Sequence, residues 1–407
     1  MNDGQASSDR SCAELSLARK GKRLLHIGVH HSANRNAGDT LLFPVVRRLF
    51  DVLLGPFDWT LRQAWEAFRE EDVAALNSEF DGIVIGGGGL LLRDQAGSDI
   101  SNSGWQWNSS VPAVERIDIP LLVFAIGYNR FRNQDDFDPV FTPHLRAVAR
   151  KSRFFGLRNS GSIRAVGAYL PADLQGLLTR QYCPTTVLWQ LYPEHRALAE
   201  AHDASRRRVF VLNAAFDRTS LRFGHRPGGV LDGVANATLE AQRRGWDIVV
   251  AAHKTLDREI EPYLDSAGVR YRTVDLTDDG PEQIMAFYAR VDFVFGMRGH
   301  AQMIPFGLRR PIMSIISHDK MGYFLEDIGK PHWGVEVTSP EIARRLGAAL
   351  DSLEQDRGAM HADLAMAQSA VWDETCRNMR AIGSMLPELA PSADGFDRYP
   401  RRNDNGR

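Results

Sequence analysis

Short apolar runs alternate with longer amphipathic stretches along most of the chain. Runs of strand type fall at residues 23–29, 80–92, 120–127, 154–160 and 181–189, and helical periodicity fills 40–54, 61–77, 139–149 and 160–166 between them. A charged, alanine-rich stretch at 194–208 interrupts the pattern. Strands then resume at 208–213, 246–252, 269–275, 291–295 and 311–316, with helices at 229–244, 257–267, 280–290 and within 317–329. Repeated strand, loop and helix units predict parallel sheets covered by helices on both faces. The expected fold is α/β, with two Rossmann-like parallel-sheet domains, 21–200 and 206–335, facing across a cleft. A C-terminal helical segment, 336–388, is expected to pack back on them, and the tails 1–20 and 389–407 are expected to be disordered.

Composition narrows the class of molecule. A chain of 407 residues, 43% hydrophobic and 25% charged, is globular rather than disordered or fibrous, and two domains suit its length. Its 49 Lys and Arg against 51 Asp and Glu leave a net charge of −2, which argues against a nucleic-acid partner. Any anionic ligand must therefore be met by a local cluster of cations. The three cysteines, Cys12, Cys183 and Cys376, lie far apart without metal or redox spacing and fit a reduced compartment. Residues 1–20 lack the apolar segment of a secretory signal, and no stretch reaches the ~18 apolar residues of a membrane span. The cytoplasm is the expected location.

Chemistry gathers at the carboxyl ends of the predicted strands, the edge where open parallel sheets bind ligands. Asn36, Gly38 and Asp39 follow the first strand at a helix N-terminus, where Asp39 has a capping role available to it. Four glycines, Gly86 to Gly89, follow the next, without the spacing of a dinucleotide fingerprint. Either Gly87 and Gly88 bring backbone N–H groups to a ligand or they form a tight turn. Trp105 and Trp107 pin a long loop or offer a sugar platform, the first being the commoner role. Arg130 and Arg132, then Arg158, close the next strands, and His253 with Lys254 and Asp257 does so in the second half. The densest stretch runs from Phe293 to Pro311 and carries Arg298 and His300 just before a short helix, with Lys320 beyond it. Taken singly, Arg298 also fits a surface ion pair and His300 a helix cap. Taken together, these strand ends describe one anion-binding, proton-handling cleft.

These residues resemble the polysaccharide pyruvyl transferase family. The likeness rests on Asn36-Ala-Gly-Asp39, the glycines and leucines from Gly86, the strand end at Arg158 and Ser160, His253 with Asp257, and above all Arg298-Gly-His300 with Ile304, Gly307, Pro311 and Lys320. It departs from the family at Cys183-Pro-Thr-Thr, where an aspartate-proline pair is common, and in its histidine- and arginine-rich first loop.

The resemblance implies the two-domain architecture of the GT-B glycosyltransferases. It also implies a transferase that moves pyruvate from phosphoenolpyruvate onto a sugar of a polysaccharide or its precursor as a ketal. Phosphoenolpyruvate is then a co-substrate and no cofactor is expected; the other partner is a sugar or glycan acceptor, lipid-linked in some settings, which would bring the protein to the membrane periphery. Arg298, Lys320 and Arg158 would bind the anionic donor, with Asn36, Gly38, Gly87, Gly88 and His253 around it. His300 would transfer a proton or contact phosphate, Asp39 would be the base, and no metal is expected. Two other readings fit the same pattern: a nucleotide-sugar-dependent glycosyltransferase, and a non-catalytic binding protein of the same fold.

Overall fold

The computed structural model describes residues 21–29, 36–93, 99–202, 208–224 and 227–386. The expected tails lie outside the described residues, as do His30 and His31 of the first loop.

Two six-stranded sheets form the framework, and every strand pairing within them is parallel. The first contains β1 (Lys22–Gly28), β2 (Phe57–Gln63), β3 (Gly82–Leu91), β4 (Leu121–Tyr128), β5 (Ser152–Leu157) and β6 (Leu178–Arg180) in the order β2-β1-β3-β4-β5-β6. The second contains β7 (Val209–Asn213), β8 (Asp247–Ala252), β9 (Tyr271–Asp275), β10 (Phe293–Gly296), β11 (Ile312–Ile316) and β12 (Gly334–Glu336) in the order β12-β11-β10-β7-β8-β9. Central strands such as β4 and β10 are almost wholly buried, which is why they read as unbroken apolar runs.

Five helices matter for the site. They are α1 (Ala37–Leu54), α2 (Ser160–Gly167), α3 (Gly299–Gly307), α4 (Asp319–Asp327) and α5 (Arg357–Met385). One apolar core runs from Leu41, Val45 and Leu49 of α1 through Val187 and Phe306 to Val371 and Met379 of α5. The two sheets thus share buried surface. Where α3 crosses the first domain, a Cβ on Gly307 would lie 2.0 Å from the Thr185 carbonyl oxygen, so the backbones touch. The buried Asp327 carboxylate of α4 accepts the Ser160 N–H at 2.8 Å and pairs with Arg180 at 3.2 Å, and Arg180 also pairs with Glu374 of α5 at 2.6 Å.

Three local expectations are corrected. Residues 61–77 do not form one helix: Phe57, Trp59 and Leu61 alternate with Asp58, Thr60 and Arg62 along the edge strand β2, and a helix follows only at Val73–Glu79. Residues 181–189 are not a strand. Pro184 cannot donate to a ladder and instead starts a 3-10 turn, Pro184–Val187, after the shorter β6. The glycine run does not end β3: Gly87 and Gly88 take φ of 79° and 91°, the pairing with β4 shifts register between Gly88 and Leu91, and the strand continues to Leu91.

Trp105 and Trp107 are buried, and Trp105 Nε1 donates to His144 Nδ1 at 2.9 Å. They pin their loop. Among the described residues, no helix is long and apolar enough to cross a membrane.

Candidate active site

Strand ends from both sheets converge on a cleft with a volume of about 120 Å³. On the first-domain side, Asn36 caps α1: its Oδ1 accepts the Gly38 N–H at 3.1 Å and its Nδ2 donates to Asp39 Oδ2 at 3.0 Å. The cap fixes Asp39 in the first turn, facing the cleft. Gly38 has no room for a side chain, since a Cβ there would lie 2.2 Å from His300 Nδ1. The two domains meet again where the Ala37 N–H donates to the His253 carbonyl at 3.1 Å.

Gly88 and Gly89 line the cleft, whereas Gly87 packs on Leu42 and Val46 of α1. The glycine run therefore divides between helix packing and the site. Arg158, at the end of β5, is 4% exposed, and its guanidinium lies across Gly127, where a Cβ would be 2.1 Å from Nε. Its Nε and Nη2 are buried without hydrogen-bond partners.

The second domain presents a charged lattice. Arg298 Nε and Nη2 donate to Asp257 at 2.7 and 2.5 Å, and Nη2 also lies 2.8 Å from Asp217 Oδ1. Asp257 is itself held by the backbone N–H groups of His253 and Lys254 at 3.0 and 3.1 Å. Asn213, at the end of β7, accepts the Arg298 N–H at 3.1 Å. Arg222 pairs with Asp217 at 3.0 Å and donates to Ser317 Oγ at 2.8 Å. Lys320, in the first turn of α4, reaches across to Asn129 Oδ1 at 2.6 Å.

Six cations line this space, Arg158, Arg218, Arg222, Lys254, Arg298 and Lys320, against two carboxylates, Asp39 and Asp217. Burial, with neighbouring charge second to it, shifts the proton affinities here. Burial, then Arg158 and Arg222, pushes Lys320 well below the usual lysine range. Burial likewise lowers Arg158, against the opposing pull of Cys183 and Asp39. His300 falls to about 3 through burial and the charges of Arg158 and Lys320, so its imidazole is neutral near pH 7. Burial alone would lower Arg298 and raise Asp217; their mutual attraction, with Asp257 and Arg222, outweighs it and keeps both ionised. An anion entering the cleft would find the buried Arg158 Nε and Nη2 without hydrogen-bond partners.

A model of the family described as polysaccharide pyruvyl transferase matches residues 36–319, from the Asn36 cap through Asp319 at the start of α4. The chain belongs to the polysaccharide pyruvyl transferase family. Among curated proteins, no sequence matches it. Its fold is similar to that of a UDP-GlcNAc 2-epimerase from Neisseria meningitidis bound to UDP-GlcNAc, at 9% identity and TM-score 0.52, covering 90% of this chain and 100% of that one. It is also similar to a glycosyltransferase from Rickettsia africae, at 12% identity and TM-score 0.54, covering 91% and 100%. Anabaena Alr3699/HepE in complex with UDP and glucose matches at 10% identity and TM-score 0.51, covering 90% and 100%. These likenesses establish the GT-B architecture for this pyruvyl transferase family member.

Of the expected site residues, Asn36, Asp39, Gly88, Arg158, His253, Arg298, His300 and Lys320 line the cleft together. Gly38 shapes it from behind His300. His253 is fully buried, its Nε2 is 2.6 Å from the Tyr288 hydroxyl, and burial holds its pKa well below the usual value. Asp217, Arg218, Arg222, Asn129 and Phe131 also line it and were not anticipated. Arg218 and Arg222 sit in a polar stretch whose short helix, Thr219–Phe223, has too few residues to show periodicity.

Proposed function

We propose that the protein transfers the pyruvyl group of phosphoenolpyruvate to a sugar of a polysaccharide or its precursor, in the cytoplasm, forming a ketal. The observation that carries this reading is the buried Arg158 fork. Two adjacent N–H donors without protein partners suit the planar oxygens of a carboxylate or phosphate, and the surrounding cations suit a ligand that bears both. Arg298 differs in kind: Asp257 and Asp217 neutralise it, so it orients the wall more than it supplies unspent charge.

Ketal formation consumes two sugar hydroxyls. One hydroxyl adds to C2 of the donor while C3 takes a proton; phosphate leaves, and the second hydroxyl adds in its place. Of the two hydroxyl protons, one ends on C3 and the other leaves with phosphate. Bound phosphoenolpyruvate would offset the charges of Arg158 and Lys320 and raise the proton affinity of His300, which then accepts the first proton and passes it to C3, and Asp39 is the candidate base for the second hydroxyl. The positive cleft stabilises the departing phosphate.

The test is a thermal-shift series with phosphoenolpyruvate and, separately, UDP-sugars, followed by mass spectrometry of glycans incubated with phosphoenolpyruvate. Stabilisation by phosphoenolpyruvate and a pyruvylated product are expected. Stabilisation by UDP-sugars alone would sink the reading in favour of a glycosyltransferase, and no response to either would favour a binding protein.

A further inference from the structure

A second cavity, of about 260 Å³, lies beside the first and shares Phe131 and Arg222 with it. Its walls come from both domains: the loop after β4, the helix Thr219–Phe223, the turn after β11, and β12 with its exit. The two spaces meet at the Phe131 ring, which lies 4.3 Å from the His318 ring, with the Arg222 guanidinium 5.2 Å from its centre.

Their electrostatics differ. The lining of the second cavity balances, with Arg132 and Arg222 against Asp319 and Glu336, where the first carries six cations against two carboxylates. Arg132 spans the domains, donating to Asp319 and, through Nη2 at 3.2 Å, to Glu336. Ion pairs already satisfied in this way offer hydrogen bonds without surplus charge, and Leu221 and Val337 supply apolar contact. An anion gains nothing by entering. A saccharide, with hydroxyls for the paired charges and C–H faces for the apolar wall, matches the chemistry.

We propose that this second cavity is the acceptor subsite and that it binds a sugar residue carrying no ionised group, held next to the donor across the Phe131 wall. The assignment rests on the pyruvyl-transfer reading for the word acceptor, but the sugar site itself is measurable without turnover.

Leu221→Trp and Thr338→Trp fill the cavity from two walls and leave the residues of the first cleft in place. Saturation-transfer difference NMR with glucose, galactose and their methyl glycosides as probes, with and without saturating phosphoenolpyruvate, reads occupancy. The expected result is a saccharide signal in the wild type that persists with phosphoenolpyruvate and weakens roughly tenfold in both variants. Their stabilisation by phosphoenolpyruvate should match the wild type, which also shows that they are folded. A signal that phosphoenolpyruvate abolishes, a signal that survives both tryptophans, or no signal from any probe overturns the proposal. A saccharide signal lost in the variants, with no stabilisation of the wild type by phosphoenolpyruvate, defeats the donor reading while the sugar site stands.

Discussion

Gly38 and His300 are in contact across the domain boundary, closely enough that a Cβ on Gly38 would lie 2.2 Å from Nδ1 and 2.6 Å from Cγ of the ring. The first turn of α1 therefore serves as the backstop that sets where the imidazole stands. Gly38→Ala should displace the ring and lower pyruvyl transfer by about 100-fold, as ångström-scale misplacement does in other sites. Because the overlap reaches the His300 Cβ at 2.7 Å, a loss of about 1–3 kcal/mol in stability should accompany it. Product formation by mass spectrometry, with melting by circular dichroism as control, checks this; activity within twofold of wild type would refute the backstop role.

Arg158 and Arg298 should respond in opposite ways to removal. Arg158→Met deletes a buried cation that lacks hydrogen-bond partners for Nε and Nη2, so the unliganded protein should melt at or above the wild-type temperature. Its stabilisation by phosphoenolpyruvate should vanish. Melting curves with and without ligand decide the matter, and a large loss of stability in the empty variant would contradict the unpaired-cation account.

Arg298→Ala leaves Asp257 and Asp217 without their main counter-charge in a buried setting. Breaking such a pair costs about 3–5 kcal/mol. Denaturant titration should show a loss of that order, and a variant as stable as wild type would mean that the lattice around Asp257 does not depend on Arg298.

Acid should unfold the protein partly through its buried imidazoles. Burial holds His26, His144 and His300 near 3, below the ordinary 6.5. Below pH 6.5 the unfolded chain binds protons that these groups in the folded state refuse. Their contribution to stability is complete above about 6.5 and is lost progressively as pH falls toward 3. His26→Phe, which keeps a ring beside Phe43 and Trp59, should flatten the decline of the urea midpoint over this window. An identical slope in the variant would remove His26 from the explanation.

Gly307→Ala tests the contact between α3 and the first domain. The added Cβ would meet the Thr185 carbonyl oxygen at 2.0 Å, and because the obstacle is backbone it has little freedom to move aside. A loss of about 1–3 kcal/mol is expected, typical of overpacking. Melting within error of wild type would show that the interface slides.

Much of the fold was legible because buried parallel strands announce themselves as apolar runs: β4 and β10 fall where the pattern put them. The edges were harder. β2 is half exposed and its alternation is short, and β6 has only three residues before Cys183 and Pro184 turn the chain. At the site, Arg298, His300 and Lys320 could be anticipated because they follow strands closely. What the sequence did not reveal was ownership of charge. Asp217 lies in an irregular segment with no periodic cue, yet it pairs with both Arg298 and Arg222, and that pairing separates the neutralised arginine from Arg158. Such partnerships depend on where loops from different strands come to rest, which local pattern does not encode.

The buried Asp327 carboxylate, shared between the Ser160 N–H and Arg180, has a mechanical consequence. A hinge that swung the two halves apart would strand that charge and split an apolar core that runs from α1 to α5. The protein is better viewed as a single block with a cleft cut into it than as a pair of jaws. Traffic into such a block is governed by exposed side chains such as Arg132 on Glu336, which yield and re-form far more cheaply than a domain can move.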